Sequence, residues 1–274
     1  MLQVVAQDDK EGLHVNNFIN RLKLIRGMAY NDIKTKYANS ILGIMWAFLM
    51  PLAIVFVFWY VFELGLKNPP INEFPYILWF IVAYVPWIFF SDLVTNGCQS
   101  MLEYSYLVKK MKFNLEDIAI IKLCSAMFVH GFFVVFLLII FRVNGFCFRI
   151  NYVQCIYYSL AAGVWGTALS YLLSAITVFF KDMVSVVNIG MQIMFWVTPI
   201  LWNEENLMNN SVRTIVKFNP MYYVVNGYRQ SFIYEGYFWE KPGEMLVFWC
   251  VTIIFFIFAK CVFNRLSPFF VDEV

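Results

Sequence analysis

Six long apolar stretches, separated by short polar segments, constrain this chain more than any other feature of its sequence. They span residues 41–62, 74–91, 123–141, 150–180, 183–203 and 245–263. Each stretch is close to the ~20 residues that a helix needs to cross a bilayer. Because backbone groups in lipid must be hydrogen-bonded within their own segment, we expect every stretch to be helical. The sequence therefore predicts an all-α integral membrane protein with six transmembrane helices.

The composition supports a membrane protein over a soluble one. Apolar residues make up 61% of the 274 residues and charged residues only 14%, against about 25% charged in ordinary soluble domains. The mean hydropathy is +0.67. A net charge of +2 leaves no dense basic face, so no nucleic-acid partner is expected.

The distribution of basic residues predicts the orientation, because cytoplasmic loops are enriched in Lys and Arg. The basic residues concentrate before the first stretch and between the second and third, at Lys10, Arg21, Lys23, Arg26, Lys34, Lys36, Lys109, Lys110 and Lys112. The polar segment 204–240 instead has more acidic than basic residues. We therefore expect both termini to lie in the cytoplasm, which requires an even number of crossings.

Two further segments are predicted to lie at the membrane without crossing it. Residues 15–36 place apolar side chains near one helical face and most of their charges off it, which is typical of an interface helix. Residues 204–240 are too polar to span but rich in aromatic side chains. The Asn219-Pro220 pair interrupts this segment, because proline disfavours helix in the residue before it. We expect an extracytoplasmic re-entrant pair of helices there, before the last span.

No motif for an independent energy source or for catalysis is present. The sequence lacks G-x-x-x-x-G-K-[ST] and H-E-x-x-H, and its histidines are His14 and His130. No catalytic, cofactor or metal site is therefore expected in this chain. His130, near the middle of the third stretch, is interpreted as a hydrogen-bonded residue of the helix bundle. If the protein moves a substrate, a partner must supply the energy.

Several short motifs recur in an order that resembles one known family. The sequence KTKYANSILGIMWAFLMPL contains Lys36, Tyr37, Ser40, Leu42, Gly43, Trp46, Pro51 and Leu52, in the pattern K-Y, S-x-L-G-x-x-W and P-L. Further matches are Pro86-Trp87 with Phe89-Phe90, the segment LVKKMKF at 107–113, Lys181-Asp182, Thr198-Pro199-Ile200, and Asn219-Pro220 with Arg229. Together they resemble the type-2 ABC exporter permeases of polysaccharides, which export O-antigen, capsule or teichoic acid. Asn114 departs from the pattern, where the family usually has proline.

The resemblance covers about residues 20 to 270 and implies a specific assembly. It implies a single transmembrane domain, 1–274, in the bacterial cytoplasmic membrane. Two copies of the chain would pair, each with one ATP-binding cassette subunit that carries the ATP and Mg²⁺. The basic segment 97–117 would be the cytoplasmic coupling loop that docks on the ATPase. Within that loop the docking candidates are Lys109, Lys110, Lys112 and Phe113.

Aromatic residues of the first two stretches are candidates for a substrate path, since flat rings stack on the C–H faces of sugars. These candidates are Trp46, Tyr84, Trp87, Phe89 and Phe90. The alternative is the ordinary aromatic belt at the membrane interface.

Basic residues are candidates for binding the phosphate of a lipid-linked glycan. They are Arg21, Arg26, Lys34 and Lys36 on the cytoplasmic side, and Arg229 on the opposite side. Attraction to ordinary anionic lipids is an equally simple explanation for the first four. For Arg229 the alternative is a pair with an acidic residue of its own segment.

The predicted function is that of the membrane permease subunit of an ATP-driven exporter of a lipid-linked polysaccharide. One alternative is an ABC exporter of a small lipid or drug. Another is a membrane enzyme acting on a polyprenyl-linked sugar, for which Asp92, Glu116, Asp117 and Asp182 are available without an evident converging set.

Overall fold

The computed structural model describes residues 2–38, 40–109, 113–204 and 208–273, with side chains from residue 19 onward and without that of residue 210. The helices are α1 (Leu2–Lys36), α2 (Trp46–Phe58), α3 (Tyr76–Glu103), α4 (Ser105–Val108), α5 (Glu116–Val143), α6 (Gln154–Phe179), α7 (Met183–Val197), α8 (Asn210–Lys217), α9 (Pro220–Arg229), α10 (Pro242–Leu266) and α11 (Phe270–Glu273). A 3₁₀ turn (Gly43–Met45) precedes α2, and a π-helical segment (Trp59–Gly65) continues it.

Five helical segments of the described chain are long and apolar enough to cross a membrane. They are Gly43–Gly65, Tyr76–Glu103, Glu116–Val143, Ile150–Phe179 and Pro242–Glu273. Within the described ranges the remaining structure is the long helix α1, shorter helices and turns, with one isolated bridge between Ile71 and Phe74. The prediction of an all-α, multi-pass membrane protein is confirmed.

Helix α7 is shorter than the predicted stretch 183–203. It ends at Val197, because Thr198 precedes Pro199 and takes an extended conformation with ψ of 132°. A helix of 15 residues is about 22 Å long, less than the ~30 Å hydrocarbon core. The turn after α7 reaches the start of α3, where the Tyr76 hydroxyl donates to the Leu201 carbonyl over 2.7 Å. The sixth crossing depends on α7 together with this turn, and six crossings stay a prediction.

Helix α3 is the centre of the bundle. It packs against α5, α6, α7 and α9, and its largest buried side chains include Trp79, Phe80 and Leu93. The predicted stretch 74–91, which the sequence allows to extend past Asp92, continues as helix to Glu103. The segment 97–117 is therefore not a loop throughout, since its first seven residues belong to α3 and its last two to α5.

The motif residue Gly43 opens the first crossing in a left-handed conformation, with φ of +52°. Side chains other than glycine rarely adopt this conformation. The chain can therefore turn from the interface segment into α2 at this residue. This turn explains why the S-x-L-G motif has glycine at its fourth position.

The segment between α7 and α10 contains two short helices that meet at the predicted break. Asn219 begins α9 by accepting a hydrogen bond from the Met221 amide over 3.0 Å, with Pro220 in the first turn. Helix α9 is buried and packs on α3 and α6, whereas Ile215 and Phe218 beside it are exposed. The break at Asn219-Pro220 is observed, and re-entry of this segment into the membrane stays a prediction.

Helix α1 is longer than the predicted interface helix 15–36. Three side chains of its predicted apolar face are buried, at Ile25, Ala29 and Ile33, and the first two belong to a cluster with residues of α5. Two others, Ile19 and Leu22, are exposed. The C-terminal part of the predicted face therefore packs on protein rather than on lipid. Its position at the membrane surface stays a prediction.

Candidate functional site

An open groove of about 790 Å³ lies between α2, α3, α5 and α7. Helix α3 contributes a stripe of side chains at helical spacing, namely Tyr84, Trp87, Ile88, Ser91, Asp92 and Thr95. Facing it are Trp46 and Pro51 of α2, and Phe195 and Trp196 of α7. The groove is lined by aromatic rings and by a smaller set of polar groups, as is usual for binding sites.

Four of the five predicted substrate-path residues line this groove: Trp46, Tyr84, Trp87 and Phe89. The Trp87 and Phe195 ring centroids are 5.8 Å apart. Phe90 does not line the groove. It is buried beside Gly166 of α6, which gives it a packing role in this conformation. A sugar-path role for the other four stays a prediction.

The polar lining of the groove includes two amides that the sequence analysis missed. Asn188 and Gln192 lie on the same face of α7, four residues apart. Their spacing within an otherwise apolar helix is the signal that was available. Hydroxyls and a carboxylate at Ser91, Thr95 and Asp92 lie on the facing α3 wall.

Lys36 and Asp92 form an ion pair at the end of the groove nearest α1. The ammonium Nζ and the carboxylate Oδ1 are 2.6 Å apart, and both side chains are partly exposed. Burial by itself would lower the pKa of Lys36, but the charge and hydrogen bond of Asp92 outweigh that effect and raise the pKa above its usual value. Lys36 is therefore a cation at any physiological pH.

The other three predicted phosphate-binding cations of α1 have different surroundings. Arg21 forms a two-pronged ion pair with Asp117 at the start of α5, and the hydrogen bond raises the pKa of Arg21. The Lys34 ammonium lies 4.5 Å from the centroid of the Tyr30 ring. Arg26 is exposed. Their role in lipid-phosphate binding stays a prediction.

Arg229 is buried between α3 and the turn that follows α7. Its guanidinium donates hydrogen bonds to the carbonyls of Pro199 over 2.6 Å and Ile200 over 3.0 Å. The guanidinium carbon is 3.4 Å from the centroid of the Trp79 ring. Neither a lipid phosphate nor a partner carboxylate is needed to account for this arginine, because backbone carbonyls and an aromatic face hold its charge. A role in guiding the lipid phosphate would require this turn to open.

A buried ionic cluster connects α1, α3 and α5, and the sequence analysis did not predict it. Lys122 donates to Asp32 over 2.7 Å and to Glu103 over 2.5 Å. The Tyr104 and Ser125 hydroxyls each donate to Asp32 over 2.8 Å. The pair Lys122 and Glu103 bridges the two helices on either side of the segment predicted to couple to the ATPase.

Two of the four predicted docking residues, Lys109 and Phe113, lie in the described part of the segment 97–117. Lys109 is exposed, whereas Phe113 is partly buried and packs on the cluster of apolar residues at this end of the bundle. Lys110 and Lys112 lie outside the described residues. Asn114 accepts a hydrogen bond from the Glu116 amide over 3.2 Å, so it can initiate α5 where the family pattern has proline.

His130 occupies the interior of the bundle, as interpreted from the sequence. Its Nε2 lies 2.9 Å from the Ser159 hydroxyl and 3.0 Å from the Tyr228 hydroxyl. These bonds connect α5, α6 and α9. Within the described part of the chain, no group of three or more His, Cys, Asp or Glu side chains is arranged to hold a metal ion.

The described chain forms a bundle of helices around an aromatic groove, and several of these helices are long and apolar enough to span a membrane. This is the architecture of an integral membrane protein. Comparison with known families narrows the class. The model of the ABC-2 type transporter family matches residues 23–233, and the chain belongs to this family.

Relatives in this family share most of the chain at modest identity. The O-antigen export system permease protein RfbA of Klebsiella pneumoniae is 23% identical over 245 residues, which cover 88% of this chain and 91% of that protein. A protein of the same name from Myxococcus xanthus is 24% identical over 256 residues, covering 92% of this chain and 95% of its own length.

Proposed function

We propose that this chain is the permease subunit of an ATP-driven exporter that moves a lipid-linked polysaccharide across the bacterial cytoplasmic membrane. The observation that carries the proposal is the groove. Its aromatic walls suit the C–H faces of a pyranose ring, and its polar groups suit the hydroxyls of that ring. Relatives named as O-antigen export permeases support a glycan of the O-antigen kind, and capsule or teichoic-acid glycans are the alternatives within the same proposal. The lipid carrier would remain in the membrane while the glycan passes along the groove.

The energy for export would come from a separate ATP-binding cassette subunit, present in two copies. ATP and Mg²⁺ would bind to that subunit. The connection from α3 through α4 to α5 would receive its movement, because this connection ends in the ionic cluster of Lys122, Asp32 and Glu103. In this orientation both termini lie in the cytoplasm and the chain crosses six times.

A second copy of the chain would complete the transport path. The groove is open along α2 and α7, where Trp46, Met50 and Trp196 are exposed. Apolar and aromatic side chains that line an open groove are suited to being covered by another protein surface. The path would then lie between two identical subunits.

The experiment that tests the proposal has two stages. The first is purification of the tagged chain from its native membrane in mild detergent, with identification of the proteins that co-purify. We expect a P-loop ATPase in equal amount and an untagged copy of the chain. Recovery of the chain alone, or with glycosyltransferases only, would contradict the proposal and favour a membrane enzyme.

The second stage compares two tryptophans of the first crossing in the reconstituted complex. Trp46 lines the groove and Trp59 does not, and their exposed fractions are 37% and 36%. We expect Trp46→Ala to reduce stimulation of ATP hydrolysis by the glycan lipid, and Trp59→Ala to leave it near the wild-type level. Stimulation by small amphiphiles in place of the glycan lipid would indicate an exporter of small lipids or drugs.

A further inference from the structure

The ion pair of Lys36 and Asp92 lies where two cavities of the protein meet. Asp92 lines the large groove, and Lys36 lines a smaller cavity that shares Tyr37, Asp92 and Val129 with it. A ligand that enters the groove at this end therefore meets the carboxylate of Asp92 on the groove wall and the ammonium of Lys36 immediately behind it.

Lys36 differs from the neighbouring cations in how easily its partner can leave. Lys122 is buried and shared between two carboxylates, so releasing it would strand charge inside the protein. Lys36 has one carboxylate partner at a partly exposed site. Asp92 also accepts a hydrogen bond from the Asn96 amide over 2.9 Å, which can retain the carboxylate after it separates from Lys36.

We propose that Asp92 occupies the position of the substrate's diphosphate at Lys36, and that the diphosphate of a lipid-linked glycan displaces it on entry. This inference deepens the proposed function and rests on it. It assigns Asp92 as a residue that determines which headgroup is admitted, and Lys36 as the residue that receives that headgroup.

The selectivity follows from charge. The diphosphate that joins a prenyl lipid to a glycan carries one negative charge on each of its two phosphates at pH 7, and a free prenyl diphosphate carries further charge on its terminal phosphate. The phosphodiester of an ordinary phospholipid carries one negative charge, the same as the carboxylate that it would have to displace. Because the ion-pair energy scales with the product of the charges, only the more highly charged headgroups gain by replacing Asp92. Asp92 thus excludes bulk phospholipids from a site that would otherwise bind them.

The test measures binding of a fluorescent short-chain prenyl diphosphate to the full-length chain, with its co-purifying subunits, in phosphatidylcholine nanodiscs. Phosphatidylglycerol and inorganic pyrophosphate serve as competitors. For the wild type, we expect competition from neither at concentrations where unlabelled prenyl diphosphate competes fully. Equal competition by inorganic pyrophosphate would place a free anion rather than a lipid headgroup at Lys36, and would overturn the assignment.

Four variants separate the roles of the two residues. Asp92→Asn is expected to tighten prenyl diphosphate binding by about tenfold and to let phosphatidylglycerol compete, because removing one like charge at close range changes binding on this scale. Lys36→Gln is expected to weaken binding by about tenfold, because it removes the positive charge that attracts the diphosphate. Lys36→Arg keeps the charge and retains binding. Lys23→Gln is the matched control, since it removes an exposed charge from the same helix, and Lys23 lines neither of the two cavities.

The inference is overturned if Asp92→Asn leaves both affinity and lipid preference unchanged. It is also overturned if Lys36→Gln weakens binding no more than Lys23→Gln does. Should Asp92→Asn fail to fold, the comparison of the Lys36→Gln, Lys36→Arg and Lys23→Gln variants decides. A wild type that prefers prenyl diphosphate, with unresponsive variants, refutes only this inference. A wild type that binds prenyl diphosphate no better than phosphatidylglycerol refutes the proposed substrate class as well.

Discussion

Replacing Lys122 with methionine is the substitution whose consequence the structure determines most directly. Lys122 is 5% exposed and its ammonium is the only cation that contacts Asp32 among the described residues. Methionine preserves most of the length and apolar surface of the side chain but removes the charge. The carboxylate of Asp32, itself 9% exposed, would keep only the hydroxyl donors of Tyr104 and Ser125.

The expected loss of stability can be worked out from these contacts. Breaking a buried ion pair by removing one partner costs about 3–5 kcal/mol, because an uncompensated charge remains inside. The two remaining hydroxyl bonds to Asp32 place the cost near the lower end, and Glu103 is exposed enough to be solvated. At roughly 2–4 °C per kcal/mol for a chain of this size, the Lys122→Met variant should lose about 6–12 °C of thermal stability.

The assay is heating in mild detergent, followed by measurement of the monodisperse fraction by size-exclusion chromatography. The double variant Asp32→Asn/Lys122→Met contains neither charge and should regain most of the loss. As a control, Arg149→Gln breaks an exposed pair with Glu235, which should be worth less than about 1 kcal/mol. A Lys122→Met variant as stable as Arg149→Gln, or a double variant no better than the single one, would refute the reasoning.

The remaining predictions concern the packing around α9 and use the same heating assay. Gly227→Ala should destabilise the protein by about 1–3 kcal/mol, because an added Cβ would lie 2.0 Å from the Tyr158 ring; Gly190→Ala, with nothing within 4 Å, should be neutral or slightly stabilising. Arg229→Lys should cost about 1–3 kcal/mol, since lysine cannot reproduce the forked bonds to two carbonyls; an unchanged melting curve would contradict this. Tyr228→Phe should cost about 1 kcal/mol through lost hydrogen bonds to His130 and Ser159.

The helices were predictable because the bilayer leaves few alternatives for long apolar stretches, whereas their ends depend on contacts that the sequence does not display. The second stretch, 74–91, was interpreted as extendable past Asp92, but nothing nearby in the sequence indicates how far. The helix continues to Glu103, and Asp92 pairs with Lys36, 56 residues away in the chain. The Thr198-Pro199 turn after α7 is visible in the sequence, whereas the hydrogen bond that Arg229 donates to it from 30 residues further on is not.

The candidate site was only partly predictable for the same physical reason. The basic residues of α1 form one group by composition, but their partners lie far away in sequence, as in the pairs of Arg21 with Asp117 and Lys36 with Asp92. Local sequence contains no information about such pairing. The aromatic motif at 86–90 was recognised as a unit, yet Trp87 faces the groove while Phe90 packs on α6.

Polar residues within apolar helices are the sequence signal that most directly identifies the groove. On α3, Ser91, Asp92 and Thr95 follow Tyr84 and Ile88 at helical spacing, so they share one face. On α7, Asn188 and Gln192 repeat the pattern. Lipid would penalise each of these groups, whereas the groove allows them hydrogen bonds to water, substrate or each other. Two polar stripes on neighbouring apolar helices thus indicate that the helices face each other across a polar path, even where each residue alone carries no functional signature.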